Sequence, residues 1–269
     1  MKVWSLGSGS KGNAVLVESG NARILVDAGF APRTLAQRLQ SISVAPASIT
    51  DCVITHEHGD HCRGAAAAAA RWGWRLHATT GTISGCTGLA DAQPQSFTAG
   101  ATLTIAGMTV DTIASPHDAN ESVVLVVTSR DGIRLGLAYD LGHVPETVAT
   151  ALGRLDMLVL ESNHDEGMLR AGPYPASVRA RIASTTGHLS NRAAAECAIR
   201  SVNPNLAHVL LAHMSEKCND HGLAVTGMRA ALNRTAFRGQ VAPLLQHAPC
   251  GPFLPRHSRA PSATQLSLF

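Results

Sequence analysis

Thr55-His56-Glu57-His58-Gly59-Asp60-His61 sets three imidazoles and a carboxylate within six residues, spaced H-x-H-x-D-H. Imidazoles crowd together in this way chiefly when they share a cation, because imidazole is the commonest side-chain metal ligand. Such nitrogens suit zinc, iron and nickel, and the Asp60 carboxylate extends the range to manganese. Cys52-Val53-Ile54, just before the run, is short, apolar and β-branched, the pattern of a buried strand. Cys62 to Trp72, just after it, is alanine-rich and predicts a helix. The donors therefore belong to a turn at the carboxyl end of a strand, where the backbone can aim them at one point.

A chain of 269 residues can bury a full core, as one large domain or two small ones. No apolar run is long enough to cross a membrane, and even Ala65 to Ala70 is far too short. Met1-Lys2-Val3-Trp4 shows no signal-peptide pattern, so the expected compartment is the cytoplasm. A net charge of +3 excludes a strongly polycationic protein. Its basic side is nearly all arginine, with only Lys2, Lys11 and Lys217 as lysines, and arginine forks suit phosphate. The six cysteines form no C-x-x-C pair. Cys52, Cys86 and Cys197 lie in apolar surroundings and predict buried thiols, while Cys62 beside the motif predicts a packing role.

Strand patterns occupy Lys2 to Leu6, Ala14 to Glu18, Arg23 to Val26, Thr102 to Ile105, Thr109 to Ser115, Val123 to Thr128 and Arg134 to Tyr139. The second half adds strands at Met157 to Leu160 and Ala207 to Leu211. Helical patterns cover Pro32 to Gln40, Val144 to Leu152, Ser177 to Ala183 and Asn191 to Val202. Strand-rich meanders with interspersed helices imply two sheets face to face with helices outside. The folded domain is expected over residues 1–242. Residues 243–269, rich in proline, arginine and serine, predict a flexible tail that ends in the apolar hook Gln265-Leu266-Ser267-Leu268-Phe269, a peptide-docking arrangement.

Further ligand types recur where predicted strands end. His117 follows Thr109 to Ser115, Asp140 follows Arg134 to Tyr139, and His213 follows Ala207 to Leu211. Together they place donors at one rim of several strands, as a shared site requires.

This series, with Asp27 after an early strand, resembles the metallo-β-lactamase superfamily over nearly the whole chain to about Arg238. The resemblance implies an α/β (α+β) fold, the four-layer αββα sandwich. It implies two divalent ions, one held by His56, His58 and His117 and the other by Asp60, His61 and His213, with Asp140 bridging them. Ser5-Leu6-Gly7-Ser8-Gly9-Ser10-Lys11-Gly12-Asn13, Glu161-Ser162-Asn163-His164-Asp165, Tyr174-Pro175 and Gly187-His188-Leu189-Ser190-Asn191 are similar to the YycJ/WalJ group. That likeness implies 5′-to-3′ exonuclease activity on DNA and a link to mismatch repair. The last blocks also resemble the layout of ribonuclease Z, which implies that His188 donates a proton. In Ala138-Tyr139-Asp140-Leu141-Gly142 the group more often has threonine on either side of the aspartate, so the hydrogen bonds around Asp140 depart from the pattern.

Two divalent ions about 3.5–4 Å apart activate water and clamp the oxygens of an in-line displacement on phosphorus. Asp60 could orient the attacking water, and His188, titrating near neutrality, could protonate the leaving sugar oxygen. The turn with Ser8, Ser10, Lys11 and Asn13 offers N–H groups, hydroxyls and a cation suited to phosphate, or forms a plain hairpin turn. His164 is a candidate phosphate or metal contact, or anchors its loop. Gln265-Leu266-Ser267-Leu268-Phe269 looks like the peptide that binds the bacterial DNA polymerase sliding clamp, which would tether the enzyme to DNA. The competing expectation is a small-molecule hydrolase of glyoxalase or lactonase type, favoured by the modest net charge.

Overall fold

The structure, a computed structural model, describes residues 1–256. Its first strands are β1 (Lys2–Gly7), β2 (Ala14–Ser19), β3 (Ala22–Val26), β4 (Asp51–Val53), β5 (Arg75–Thr79) and β6 (Gln95–Phe97). The next are β7 (Thr102–Ile105), β8 (Met108–Ala114), β9 (Val123–Thr128), β10 (Arg134–Ala138), β11 (Met157–Glu161), β12 (His208–Ala212) and β13 (Gln240–Pro243). A last strand, β14 (Cys250–Phe253), returns to the first sheet. Among the described residues these make two seven-stranded sheets, ordered β14-β1-β2-β3-β4-β5-β6 and β13-β12-β11-β10-β9-β8-β7.

Side chains alternate between the two faces of a strand, so each sheet presents two apolar surfaces. Val15, Val17, Ile24, Val26 and Val53 meet Val110, Leu125, Leu137, Val159 and Leu210 between the sheets. On the outer face of the first sheet, Leu16, Leu25 and Cys52 pack on Leu35 and Leu39 of helix Pro32–Ser41 and on Ala65 and Ala68 of helix Ala65–Trp72. On the outer face of the second, Leu158, Leu160, Val209 and Leu211 pack on Ala194 and Cys197 of helix Asn191–Arg200 and on Met228 and Leu232 of helix His221–Leu232. This is the expected four-layer sandwich. Strands such as Met157–Glu161 are buried on both faces and hence read as unbroken apolar runs.

Several local expectations change. The predicted helix from Cys62 splits into a turn of helix at Gly59–Cys62 and a separate helix at Ala65–Trp72. Gly64 lies between them, and a Cβ there would stand 1.9 Å from the Phe30 carbonyl oxygen, so only glycine lets these backbones touch. Cys86 is no free thiol but forms a disulfide with Cys62. Residues 243–253 belong to the fold rather than to a tail. Leu244 is buried, Gln246 Nε2 donates to the Gly12 carbonyl at 3.0 Å, and β14 pairs antiparallel with β1. Pro252 suggested a linker, but a proline is tolerated in β14 because that strand lies at the sheet edge. Gln265 to Phe269 fall outside the described residues. Among those described, no helix is long and apolar enough to cross a membrane.

Candidate metal centre

Both sheets run antiparallel on one side and parallel on the other, so several carboxyl ends gather at one rim, where open α/β sheets characteristically bind ligands. Asp27 follows β3, the heptapeptide follows β4, His117 follows β8, Asp140 follows β10, Glu161 ends β11 and His213 follows β12. Asp27, Asp140 and His213 adopt left-handed backbone, with φ of 63°, 60° and 49°. Such φ values are uncommon outside glycine and recur where a site dictates side-chain direction.

All seven expected ligands converge. One donor atom from each of His56, His58 and His117 lies within 4.8 Å of the others, and the same holds for Asp60, His61 and His213 and for His56, His61 and Asp140. Hydrogen bonds behind the rings fix which nitrogens face inward. His61 Nδ1 lies 2.7 Å from Asp27 Oδ2, and His117 Nδ1 lies 3.1 Å from the Gly187 carbonyl. His56 Nδ1 lies 3.1 Å from Thr55 Oγ1, whose own proton goes to Asp27. In the neutral ring each Nδ1–H donates outward and leaves Nε2 as a bare lone pair. His56 Nε2 is buried without a hydrogen-bond partner, His117 Nε2 faces His58 Nδ1 at 3.1 Å, and His61 Nε2 faces Asp140 Oδ2 at 2.8 Å. Electron-rich atoms aimed at one another in a buried site require a cation, so the donor set fits divalent metal.

The charge balance agrees. Burial opposes ionisation of His61, yet Asp140, Asp60 and Asp27 outweigh it and hold its pKa well above the usual imidazole range. A proton there and a metal ion answer the same excess of negative charge. Burial and the neighbouring His61 push His56 well below its usual range, which keeps its lone pair free. Burial also works against the Asp60 carboxylate, but His61 and His213 hold its pKa far below normal.

His188 sits at the lip of this cluster, 22% exposed, with Nδ1 2.8 Å from Glu161 Oε1 and 3.2 Å from Asp140 Oδ1. Burial would lower its pKa, but Glu161 and Asp140 raise it well above the usual value. Glu161, in turn, is pushed up by burial and pulled down to about 2 by His188 and His213. It also accepts from the backbone N–H groups of Leu141 and Leu189 at 2.9 and 3.0 Å. As a site residue Glu161 escaped the sequence reading, although it ends an apolar strand at the same rim as Asp140.

The phosphate expectations divide. Ser8 Oγ donates to Asn13 Oδ1 at 3.2 Å and accepts from His213 N–H at 2.8 Å, so Ser8 faces inward. Asn13 is buried, with Nδ2 3.0 Å from His61 Nε2 and 3.3 Å from Asp60 Oδ2. Both are therefore buried in hydrogen bonds around the donor cluster rather than open to the cleft. Ser10 lines the cleft above the donors, and Lys11 is exposed and paired with Glu216 at 2.6 Å. His164 joins none of the donor groups and lines a second cavity beyond His188, with Glu166, Arg170 and Arg192.

The family model described as Metallo-beta-lactamase superfamily matches residues 7–148. A curated protein of Streptococcus pneumoniae, exodeoxyribonuclease WalJ, is 32% identical over 225 residues, which cover 81% of this chain and 83% of that one. Exodeoxyribonuclease YycJ of Bacillus anthracis is 29% identical over 236 residues, covering 86% and 89%. Among solved structures, the metallo-beta-lactamase fold protein YhfI of Bacillus subtilis aligns over 93% of this chain and 99% of its own, with a TM-score of 0.68 and 14% identity.

Proposed function

The chain belongs to the metallo-beta-lactamase superfamily, and from that premise we propose that it is a two-metal exonuclease that degrades DNA from the 5′ end in repair, tethered by the sliding clamp. A metal-dependent hydrolase, and an exonuclease among them, is the reading that the fold and the relatives support. The observation that carries the finer reading is the convergence of every expected ligand at one rim, in a chain that parallels exodeoxyribonuclease WalJ over four-fifths of its length.

His56, His58 and His117 would hold one ion, Asp60, His61 and His213 the other, and Asp140 would lie between them. Zinc or manganese suits this mixture of imidazole and carboxylate, and iron or nickel is compatible with it. When bound, such ions acidify water and neutralise charge on the phosphate. Asn13 and His213 hold the Asp60 carboxylate at 3.3 and 3.1 Å, so it can accept a hydrogen bond from the attacking water. His188, kept protonated and oriented by Glu161, can deliver its proton to the leaving sugar oxygen.

Metal-loaded protein should release nucleotides from 5′-labelled DNA, and comparison with 3′-labelled DNA gives the polarity. DNA left intact beside a rapidly hydrolysed thioester or lactone would sink the nuclease reading and favour a small-molecule hydrolase. The tail reading rests on sequence alone. Deleting residues 265–269 should abolish clamp capture while hydrolysis of a small phosphodiester continues, and equal capture by the shortened chain would refute the tether.

A further inference from the structure

The cleft above the donor cluster has a volume of about 360 Å³. Its lining includes three carboxylates, Asp60, Asp118 and Asp140, and a single guanidinium, Arg181. Metal ions on the cleft floor would offset Asp60 and Asp140. Asp118 also lines the cleft and is 27% exposed, so an entering polyanion meets it unless a cation intervenes. Resting on the nuclease reading above, we propose that Arg181 is a substrate-binding residue that grips the phosphate adjacent to the scissile one on a DNA strand.

The geometry suits this task. Arg181 lies near the end of helix Ala176–Ile182, which buries none of its residues. The carboxyl end of that helix is nevertheless fixed to the site. His188 N–H donates to the Ile182 carbonyl at 2.9 Å, and Asp118 N–H donates to the Thr186 carbonyl at 3.0 Å. A Cβ on Gly187 would stand 2.2 Å from the Arg181 carbonyl oxygen, so this segment is pressed against the His188 loop. The backbone of Arg181 is thereby set relative to His117 and His188, while its side chain remains 66% exposed.

Asp118 engages the guanidinium through Nε, which leaves the terminal amino groups to form a fork on a phosphate. Asp118 Oδ1 also lies 3.4 Å from His117 Nε2, so the Arg181–Asp118 pair touches the donor cluster itself. A phosphate can therefore bind the terminal amino groups while Asp118 keeps Nε, with little reorganisation of the helix. Val178 and Ile182 line the same wall and offer an apolar surface to a sugar or base. A small diester with no second phosphate cannot use Arg181 in this way.

The test compares wild type, Arg181→Ala, Arg181→Lys and the remote control Arg234→Ala, all metal-loaded, on a 5′-labelled single-stranded oligonucleotide and on bis(p-nitrophenyl) phosphate. Loss of a charge-assisted contact predicts that Arg181→Ala raises KM for DNA about 10–100-fold, with a smaller change in kcat. The loss of kcat/KM on DNA should exceed that on the small diester by about tenfold or more. Arg181→Lys should recover part of the deficit by keeping the charge, and Arg234→Ala should match wild type. An unchanged KM for DNA in Arg181→Ala, or equal losses on both substrates, overturns the proposal. If wild type itself leaves DNA intact, the nuclease reading fails and the proposal falls with it, an outcome visible without any variant.

Discussion

At the amino end of β4, the buried Asp51 carboxylate takes hydrogen bonds from Thr50, from both Nε and Nη2 of Arg75 and from His77, at distances between 2.7 and 2.9 Å. At the carboxyl end of the same strand, His56 Nε2 has no partner and His61 Nε2 faces the Asp140 carboxylate. Both ends bury carboxylate and imidazole together. At the Asp51 end the charges close on one another, and the arrangement is complete as it stands. At the other end, hydrogen bonds behind the rings turn the remaining lone pairs inward, and the arrangement is complete only around a cation. The presence of histidine and aspartate is therefore a weaker sign of a metal centre than the direction in which their unpaired atoms point.

The largest contrast between the two ends should come from chelation. Removing metal is expected to abolish hydrolysis and to lower the thermal midpoint, because a ligand bound only to the folded state stabilises it by mass action. His58→Ala should behave in the same way without chelator, whereas Asp51→Asn should keep its metal. Calorimetry with and without chelator checks this, and an unshifted midpoint would break the comparison.

Next in size is His188→Ala, which leaves the seven expected ligands intact but removes the proposed proton donor. A loss in kcat of about 10²–10⁴-fold is expected, as for removal of a general acid. Metal content should stay at the wild-type level, and a parallel loss of metal would recast His188 as a ligand. A smaller effect is expected from Asp27→Asn, which keeps the shape of the carboxylate behind His61 but removes its charge. Such a change costs about 10–100-fold in metal affinity, measurable by competition with a chromophoric chelator. Affinity equal to that of wild type would show that His61 needs no orienting carboxylate.

The smallest effect belongs to the closed end. Burial pushes the Asp51 carboxyl up, but hydrogen bonds from His77, Arg75 and Thr50 prevail and hold it well below the usual range. A carboxylate depressed in the folded state adds stability above its unfolded pKa of about 3.9 and loses it as pH falls. Asp51→Asn should therefore cost about 1–3 kcal/mol at neutral pH, the usual penalty for disrupting a buried polar network. The gap from wild type should narrow progressively below about pH 4. Urea unfolding at several pH values tests both statements, and a gap that stays constant into acid would exclude Asp51 as its source.

Much of this was legible in the chain. The unbroken apolar runs at Val123–Thr128 and Met157–Glu161 announce strands buried on both faces. By contrast, β5, Arg75-Leu76-His77-Ala78-Thr79, hides as a strand because its polar residues look solvated. The buried His77 is tolerated because Asp51 on the neighbouring strand satisfies it, a pairing between residues far apart in sequence, and the more exposed Arg75 joins the same carboxylate. Helix His221–Leu232 was equally readable in principle, since the Asp220 side chain caps it and Ala224, Met228 and Leu232 recur on one face. The strand at Cys250–Phe253 was not, because proline and glycine argue against a strand until an edge position is available.

What the sequence by itself determined is the part of the site built from adjacent residues. His56, His58, Asp60 and His61 lie within six residues, and that short length of backbone suffices to bring their donors together. For the rest the chain offered ligand types at predicted strand ends, and the tertiary structure decided that they meet. It brought His117, Asp140, Glu161 and His213 to the same rim from the second sheet and His188 from the loop before helix Asn191–Arg200, and it separated Asp27, which backs the expected ligand His61, from Asp51, which supports the fold. Each of these acidic groups is simply an aspartate or glutamate at a strand end when read along the chain. Which rim it reaches, and whether its oxygens meet a donor or another lone pair, depends on strand order and direction. Those follow from packing two apolar sheet faces together, which no local pattern encodes.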